Sequence, residues 1–381
     1  MLRLPPLYPI TDASRPESLS AQIRQLGEAG FPLVQFRGKP LDAQAQWTEL
    51  RTALAEAAAN GGWPMICVND RADLAILAAR EDLTPWGLHL GQEDLPAREA
   101  QALPGLAGLH LGASTHEASE WAAVNRACDH AGVGPFRGTP SKADHAEPIG
   151  LEGLQAGCAA LRAQAIAPIA IGGLTLADAG PCFEAGAESL AMVGEIHRAA
   201  DPAALGWAIQ RERWRVRPPF RPGQGLVLLG GSGGGKTSLG RLLAFRMALP
   251  FHDLDAVIEG HAGRAVAELF EARGEAAFRA LESELLPGLL AAPAVVALGG
   301  GAWEAEANRL AVDASGFAAL WLAETPARAW ERAGRDPKRP LAQDPAVFMA
   351  RWRRRMPAWA QADMLLAFGH SSRDLASALL D

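Results

Sequence analysis

Cysteine is scarce in this chain, with four residues in 381, all before residue 200. Cys67, Cys128, Cys158 and Cys182 show no zinc or redox spacing, which excludes a disulfide scaffold and a thiolate metal site. Isolated buried thiols of a reducing compartment are the expectation. No apolar stretch reaches eighteen residues, and Met1 to Pro6 holds no apolar leader core, so a membrane span is excluded and a cytoplasmic chain is expected. A basic excess is lacking too: the net charge of −7 gives a nucleic-acid partner no global field. The one basic cluster, Arg351 to Arg355, is interrupted by Trp352. What is present is ordinary globular composition, 49% hydrophobic and 21% charged, in a length that suggests two or three domains.

The sharpest local signal is Gly230-Gly231-Ser232-Gly233-Gly234-Gly235-Lys236-Thr237, which fits G-x-x-x-x-G-K-[ST] without a mismatch. An apolar run, Leu226 to Leu229, precedes it and the helix-forming Ser238 to Ala244 follows. A flexible glycine linker needs neither the buried strand nor Lys-Thr at a helix start. In this context backbone N–H groups of Gly230, Gly233, Gly235 and Ser238 cradle phosphate, Lys236 adds charge, and the Thr237 hydroxyl can ligate Mg²⁺. A nucleoside triphosphate is the expected ligand.

Residues 213–224 mix charge with prolines and a glycine and read as a linker between a first domain, 1–212, and a second, 225–381. In the first, short apolar runs alternate with helical stretches. Strands are expected at 7–11, 33–36, 65–68, 87–90, 109–112, 130–134, 169–171 and 190–193. Eight such units suggest a (β/α)₈ TIM barrel. Polar residues recur just past the strands: Gln35, Arg37 and Lys39; Asn69 and Asp70; Asp94; Ser114; Thr139, Ser141 and Lys142; Gly172 and Gly173; Val193 and Gly194. One by one they are turn formers; as a set they mark one rim, where such folds keep their chemistry. Asp70, Asp94 and Asn69 suit a Mg²⁺ that shares a diphosphate, and Arg37 and Lys39 would meet that diphosphate. Gly172-Gly173 and Val193-Gly194 suit a monophosphate. Together they imply joining two phosphorylated molecules with loss of pyrophosphate.

These segments resemble thiamine phosphate synthase over about residues 4–210, through Tyr8-Pro-Ile-Thr-Asp12, Val34-Gln-Phe-Arg-Gly-Lys39, Val68-Asn-Asp-Arg71, Gly87-Leu-His-Leu-Gly-Gln-Glu-Asp94, Leu111-Gly-Ala-Ser114, Gly132-Val-Gly-Pro135, Thr139-Pro-Ser-Lys142 and Ile171-Gly-Gly173. The resemblance implies that Gln35, Arg37, Lys39, Asn69 and Lys142 hold a pyrimidine diphosphate. It further implies Mg²⁺ on Asp70 and Asp94, the leaving diphosphate on Ser114, and thiazole phosphate on Thr139, Ser141 and Gly172-Gly173. Two departures stand out: Ser141 replaces the usual Thr, and Phe136-Arg137-Gly138 replaces a more apolar stretch. Thiazole tautomerases share the barrel but lack the carboxylate pair, so Asp70 and Asp94 favour the synthase.

The second domain reads as a three-layer α/β unit with a parallel sheet, strands being expected at 225–229, 250–253, 295–298, 319–322 and 364–368. Asp253 and Asp255 are read as ending the second strand, on one side by period-two alternation. Phe278, Arg279 and Glu282 share a helix face. Gly299, Gly300 and Gly301 end the third strand. Arg332, Arg339 and Arg355 lie on or beside a Gly/Pro-rich stretch, 333–345, read as a lid. These motifs look like shikimate kinase over 225–381. That resemblance assigns Asp253 to Mg²⁺ and Asp255 to the acceptor hydroxyl. It puts Phe278, Arg279, Arg355 and the glycine triplet on shikimate, Lys236 and Arg339 on the γ-phosphate, and Arg332 beside adenine. Trp359 departs from the family's usual tyrosine.

The reading is a fused bifunctional transferase with Mg²⁺ in both domains, ATP as co-substrate and small-molecule partners, without nucleic acid or membrane; a homo-oligomer through the barrel is left open. The alternatives are a tautomerase-like barrel, a kinase of another hydroxy acid such as gluconate, and a metabolite sensor without turnover.

Overall fold

A computed structural model describes residues 1–138, 147–334 and 344–380. Thr139, Ser141, Lys142 and Arg339, and most of the stretch read as a lid, lie outside the described residues. The chain divides into two compact units that meet in sequence at Arg217 and Pro218.

The first unit holds eight parallel strands: β1 (Leu7–Pro9), β2 (Leu33–Phe36), β3 (Met65–Asn69), β4 (Gly87–Leu90), β5 (His110–Thr115), β6 (His130–Val133), β7 (Ala167–Ile171) and β8 (Ser189–Met192). Their order, β1-β8-β7-β6-β5-β4-β3-β2, brings the first and last together. The remaining seam is bridged where Ile10 pairs with Gln35 and the Thr11 N–H donates to the Gln35 carbonyl at 3.0 Å. Five of the eight strands, β1, β2, β4, β6 and β8, are buried throughout because helices cover one face and side chains fill the barrel on the other.

Helix Pro202–Val216 closes this unit, started by the Asp201 carboxylate, which accepts the Ala204 N–H, with Pro202 in the first turn. The helix runs into the stretch expected as linker. Arg213 and Arg217, together with Arg162, converge on the buried Glu188 carboxylate at 2.7, 3.2 and 2.8 Å. Three of the charges that suggested a linker, Arg213, Arg215 and Arg217, are therefore in ion pairs of the barrel.

The second unit has five parallel strands, β9 (Leu226–Leu229), β10 (Phe251–Asp253), β11 (Val295–Ala297), β12 (Ala318–Ala323) and β13 (Asp363–Leu366), in the order β10-β11-β9-β12-β13. The order changes direction at β9, so the loop after β9 opens at the carboxyl edge where α/β sheets take ligands. Helices Pro326–Ala333 and Pro345–Trp359 begin as Pro202–Val216 does, with Thr325 or Asp344 as cap before a proline.

Candidate functional site

At the barrel rim the expected residues come together around one carboxylate pair. Lys39, past the end of β2, sets its ammonium 2.5 Å from Asp70 Oδ2 at the end of β3. Asp70 and Asp94 both border Gly91, where a Cβ would lie 3.8 Å from Asp70 Oδ1 and 2.9 Å from Asp94 Oδ2, and the Gly91 N–H donates to Asp94 Oδ2 at 2.7 Å. Burial works to raise the Asp70 carboxyl, but the Lys39 bond and charge outweigh it and hold Asp70 below the usual range. Asp94 is raised, first by burial and then by the neighbouring Asp70 carboxylate. Two carboxylates brought together beside an ammonium have the chemistry of a hard-cation site. Among the described residues no group of three or more His, Cys, Asp or Glu is arranged around a metal. Such a pair fits a Mg²⁺ that draws most of its ligands from water and phosphate.

The same rim continues through β5. The Gln92 amide donates to the Ser114 carbonyl at 2.6 Å, and the Ser114 hydroxyl lies 3.1 Å from His89 Nε2. Gln35 is buried with its amide 3.5 Å from the Tyr8 hydroxyl, and the Arg37 N–H donates to Thr11 Oγ1 at 2.8 Å. Asn69 closes β3. On the opposite arc, Gly172 and Gly173 follow β7 with φ of +101° and +62°, and Gly194 opens the short helix Gly194–Arg198 just after Val193. The departure at Phe136-Arg137 is anchored here: the Arg137 N–H donates to the Gly172 carbonyl at 3.0 Å, and its guanidinium meets Asp178 at 2.6 Å.

Inside the barrel lies a group that the sequence reading passed over. His89, Gly112 and His130 are lateral neighbours in the strand register, and the two imidazoles meet over the glycine, Nδ1 of His89 being 3.4 Å from Nε2 of His130. Burial, followed by the charge of His89, pushes the His130 pKa down to about 3.

In the second unit the glycine-rich loop after β9 turns into helix Lys236–Met247. Gly233 and Gly235 hold φ of +78° and +93°, and a Cβ on Gly233 would strike the Ala329 carbonyl. Lys236 Nζ donates to the carbonyls of Gly230 and Gly231 at 2.8 and 2.9 Å, and Arg332 pairs with Glu324 at 2.9 Å within reach of the Gly233 carbonyl. Ser238 lies in the helix's first turn. The Thr237 hydroxyl donates to Asp253 Oδ2 at 2.9 Å. An oxygen donor set made of a hydroxyl and a carboxylate in contact fits Mg²⁺ held beside a triphosphate.

One expectation changes. Asp255 is not on the strand: β10 ends at Asp253, and Asp255 belongs to the first turn of helix Leu254–Ala262. Its carboxylate nevertheless reaches the glycine triplet, since a Cβ on Gly299 would lie 2.6 Å from both Asp255 Oδ1 and Glu282 Oε1. Helical rotation rather than strand alternation brings it there. Glu282 is fully enclosed and holds Arg279 at 2.6 Å, while Glu275 takes the other Arg279 nitrogen at 2.9 Å. Burial pushes the Glu282 carboxyl up to about 7 against the pull of Arg279. Burial also opposes the Arg279 charge, but its two carboxylates prevail and its pKa rises. The desolvation cost falls on Glu282 because Glu282 is the enclosed partner.

Arg279 packs against Gly301, Arg355 lies against Gly300, and the Phe278 ring is buried beside Phe270 with the Arg279 guanidinium over both rings. Arg355 is held by Glu304 at 3.1 Å. Arg354, in the same basic cluster, shares Glu304 and Glu275 with it. Trp352 in that basic run is buried, with its ring where a Cβ on Gly231 would sit. The Trp359 indole N–H donates to the Gly300 carbonyl at 3.2 Å, supplying a polar contact from an aromatic ring. Glu304 had no sequence signal, since only tertiary packing brings it to the arginines.

Residues 7–196 match the family model described as thiamine monophosphate synthase, and residues 232–380 the model described as shikimate kinase. A thiamine-phosphate synthase of Chloroflexus aurantiacus is 40% identical over 202 residues, covering 52% of this chain and 88% of that protein. A shikimate kinase of Ruegeria pomeroyi is 41% identical over 143 residues, covering 36% of this chain and 73% of that protein. Among solved structures, a shikimate kinase from Acinetobacter baumannii in complex with shikimate is 31% identical, with a TM-score of 0.39 over 41% of this chain and 90% of its own.

Proposed function

The chain belongs to the thiamine monophosphate synthase family in its first unit and to the shikimate kinase family in its second, and on that premise we propose the two reactions and the residues that carry them. It is a bifunctional transferase. The barrel joins hydroxymethylpyrimidine diphosphate to thiazole phosphate, releasing pyrophosphate and forming thiamine phosphate. The second unit moves the γ-phosphate of ATP to the 3-hydroxyl of shikimate.

In the barrel the C–O bond between the pyrimidine methylene and the diphosphate breaks, and the thiazole nitrogen then attacks the methylene carbon. Negative charge grows on the leaving oxygen, so stabilisation of that oxygen is where this chain gains rate. Arg37, Lys39 and Lys142 supply positive charge, Ser114 a hydroxyl donor, and Asn69 and Gln35 orient the diphosphate and the pyrimidine. Asp70 and Asp94 would hold a Mg²⁺, whose charge would serve to neutralise the diphosphate. Thr139, Ser141, Gly172, Gly173, Val193 and Gly194 receive the thiazole phosphate. The observation that carries this half is the Lys39–Asp70–Asp94 constellation.

In the kinase, Asp255 accepts the proton of the shikimate hydroxyl as its oxygen attacks the γ-phosphorus. Arg279, Arg355 and the glycine triplet fix the shikimate carboxylate and ring, with Phe278 behind them. Backbone groups at Gly230, Gly233, Gly235 and Ser238 hold the phosphates, Lys236 and Arg339 take the charge that develops on them, and Arg332 borders the base. Thr237 and Asp253 would hold a Mg²⁺, whose charge would serve to screen the triphosphate. Asp255 and Glu282 converging on Gly299, with Arg279 against Gly301, carry this half.

The test is one preparation of the full chain, assayed for thiamine phosphate from the two phosphorylated halves and, separately, for ATP-dependent phosphorylation of shikimate against gluconate. Turnover of gluconate, or binding of pyrimidine diphosphate without pyrophosphate release, would sink the corresponding half.

A further inference from the structure

The barrel interior contains a hydrogen-bond chain whose polarity is set at its buried end. His130 on β6 is completely enclosed. Its Nδ1 has no hydrogen-bond partner among the described residues, and its Nε2 lies 3.4 Å from His89 Nδ1. A neutral imidazole carries one N–H and one bare nitrogen. A buried N–H without an acceptor is the costlier orphan, so the proton sits on Nε2 and Nδ1 is the bare nitrogen. Nε2 of His130 then donates to Nδ1 of His89. His89 must carry its own proton on Nε2, 3.1 Å from the Ser114 oxygen, and donate it there. With one lone pair taken by His89, the Ser114 hydroxyl keeps its proton for an acceptor at the rim.

The strand register shows that space is reserved for this chain. Gly112 lies between His89 and His130 in register, and a Cβ there would overlap His130 Nε2 and lie 2.6 Å from His89 Nδ1. Trp86 and Tyr8 border the His130 ring, with centroids at 6.0 and 6.3 Å.

We propose that His130 is a positioning residue for the barrel reaction: through the tautomer of His89 it directs the Ser114 hydroxyl proton toward the departing diphosphate. This rests on the thiamine phosphate synthase reading given above. The bond to the leaving oxygen strengthens as charge grows, so its loss lowers kcat more than it raises KM.

The experiment uses the full chain. ¹⁵N chemical shifts of the His89 ring should report the Nε2–H tautomer in the wild type and a shift toward a mixture in His130→Phe. His130→Phe should lower kcat for thiamine phosphate about tenfold with KM for either substrate nearly unchanged, as expected for one donor to a charged oxygen. His130→Gln, whose amide can still donate at that point, should restore most of the rate. In a Ser114→Ala background His130→Phe should have no further effect on kcat, because the two residues act through one bond. An Nδ1–H tautomer of His89 in the wild type, or an undiminished loss in the Ser114→Ala background, overturns the proposal. A wild-type chain that releases no pyrophosphate overturns the assigned reaction instead, and the ring shifts still decide the hydrogen-bond chain.

Discussion

Glu282 joins the clearest residue-scale consequence to the kinase site. Its carboxyl sits at about 7 in the folded unit, because burial outweighs the attraction of Arg279, against an ordinary value of 4.5. The folded state therefore binds this proton more tightly than the unfolded chain does. The sign follows: the contribution is complete below pH 4.5 and is lost as pH rises through 7, amounting to roughly 3 kcal/mol. Glu282→Gln resembles the protonated side chain, and unfolding of the full chain at pH 5 and pH 8 should show the wild type losing that increment while the variant does not. Parallel pH dependences would mean that the carboxyl is not shifted. Arg279 and Glu282 could be paired from sequence because three-residue spacing on a helix is local geometry. Glu304 and His130 could not, since their partners are set by packing and by strand register. Trp359 looked like a bare departure from the family's tyrosine, and its N–H bond to Gly300 emerges only when helix Pro345–Trp359 is seated on the glycine triplet.

At the scale of elements, the helix Pro345–Trp359 does more than carry Arg355. Trp352 packs on the phosphate loop at Gly231, and the ring is backed by Phe348 and Trp359 at 5.6 and 5.2 Å. With aromatic rings behind it the indole has little room to retreat, so Gly231→Ala must deform the loop instead. The expected outcome is a weaker KM for ATP and a loss of about 1–3 kcal/mol in the stability of the second unit, with thiamine phosphate formation unchanged. ATP titration and thermal unfolding read both, and an unchanged KM would show that the loop tolerates the methyl. Most strands were legible because burial on both faces leaves short apolar runs. β5 was less so, expected at 109–112 but observed over His110–Thr115. Polar Ser114 and Thr115 end the apolar run, yet Thr115 stays in the strand because its hydroxyl donates to the Gly132 carbonyl at 2.7 Å. Asp255 misled in the opposite way. Two-residue spacing suggested a strand, whereas the chain had already turned into a helix.

At the scale of the whole molecule, the expected site residues of the barrel fall between Gln35 and Gly194, within the first unit, and those of the kinase between Gly230 and Arg355, within the second. Neither reaction's product is a substrate of the other, so the chemistry supplies no reason for one site to need the other's residues. Lys236→Ala removes the ammonium proposed to meet the γ-phosphate and should lower shikimate phosphorylation by about 10³ or more, leaving pyrophosphate release from the barrel unchanged. Asp70→Ala removes one of the two carboxylates and strands Lys39 without its partner, and it should abolish thiamine phosphate formation while the kinase keeps its rate. Each variant is thus the folding control for the other: full activity in the untouched unit shows that the chain is intact. Loss of both activities in either variant, with cooperative unfolding preserved, would mean that the sites are coupled. The separation of the two reactions would then have to be abandoned even though each set of residues lies within its own unit.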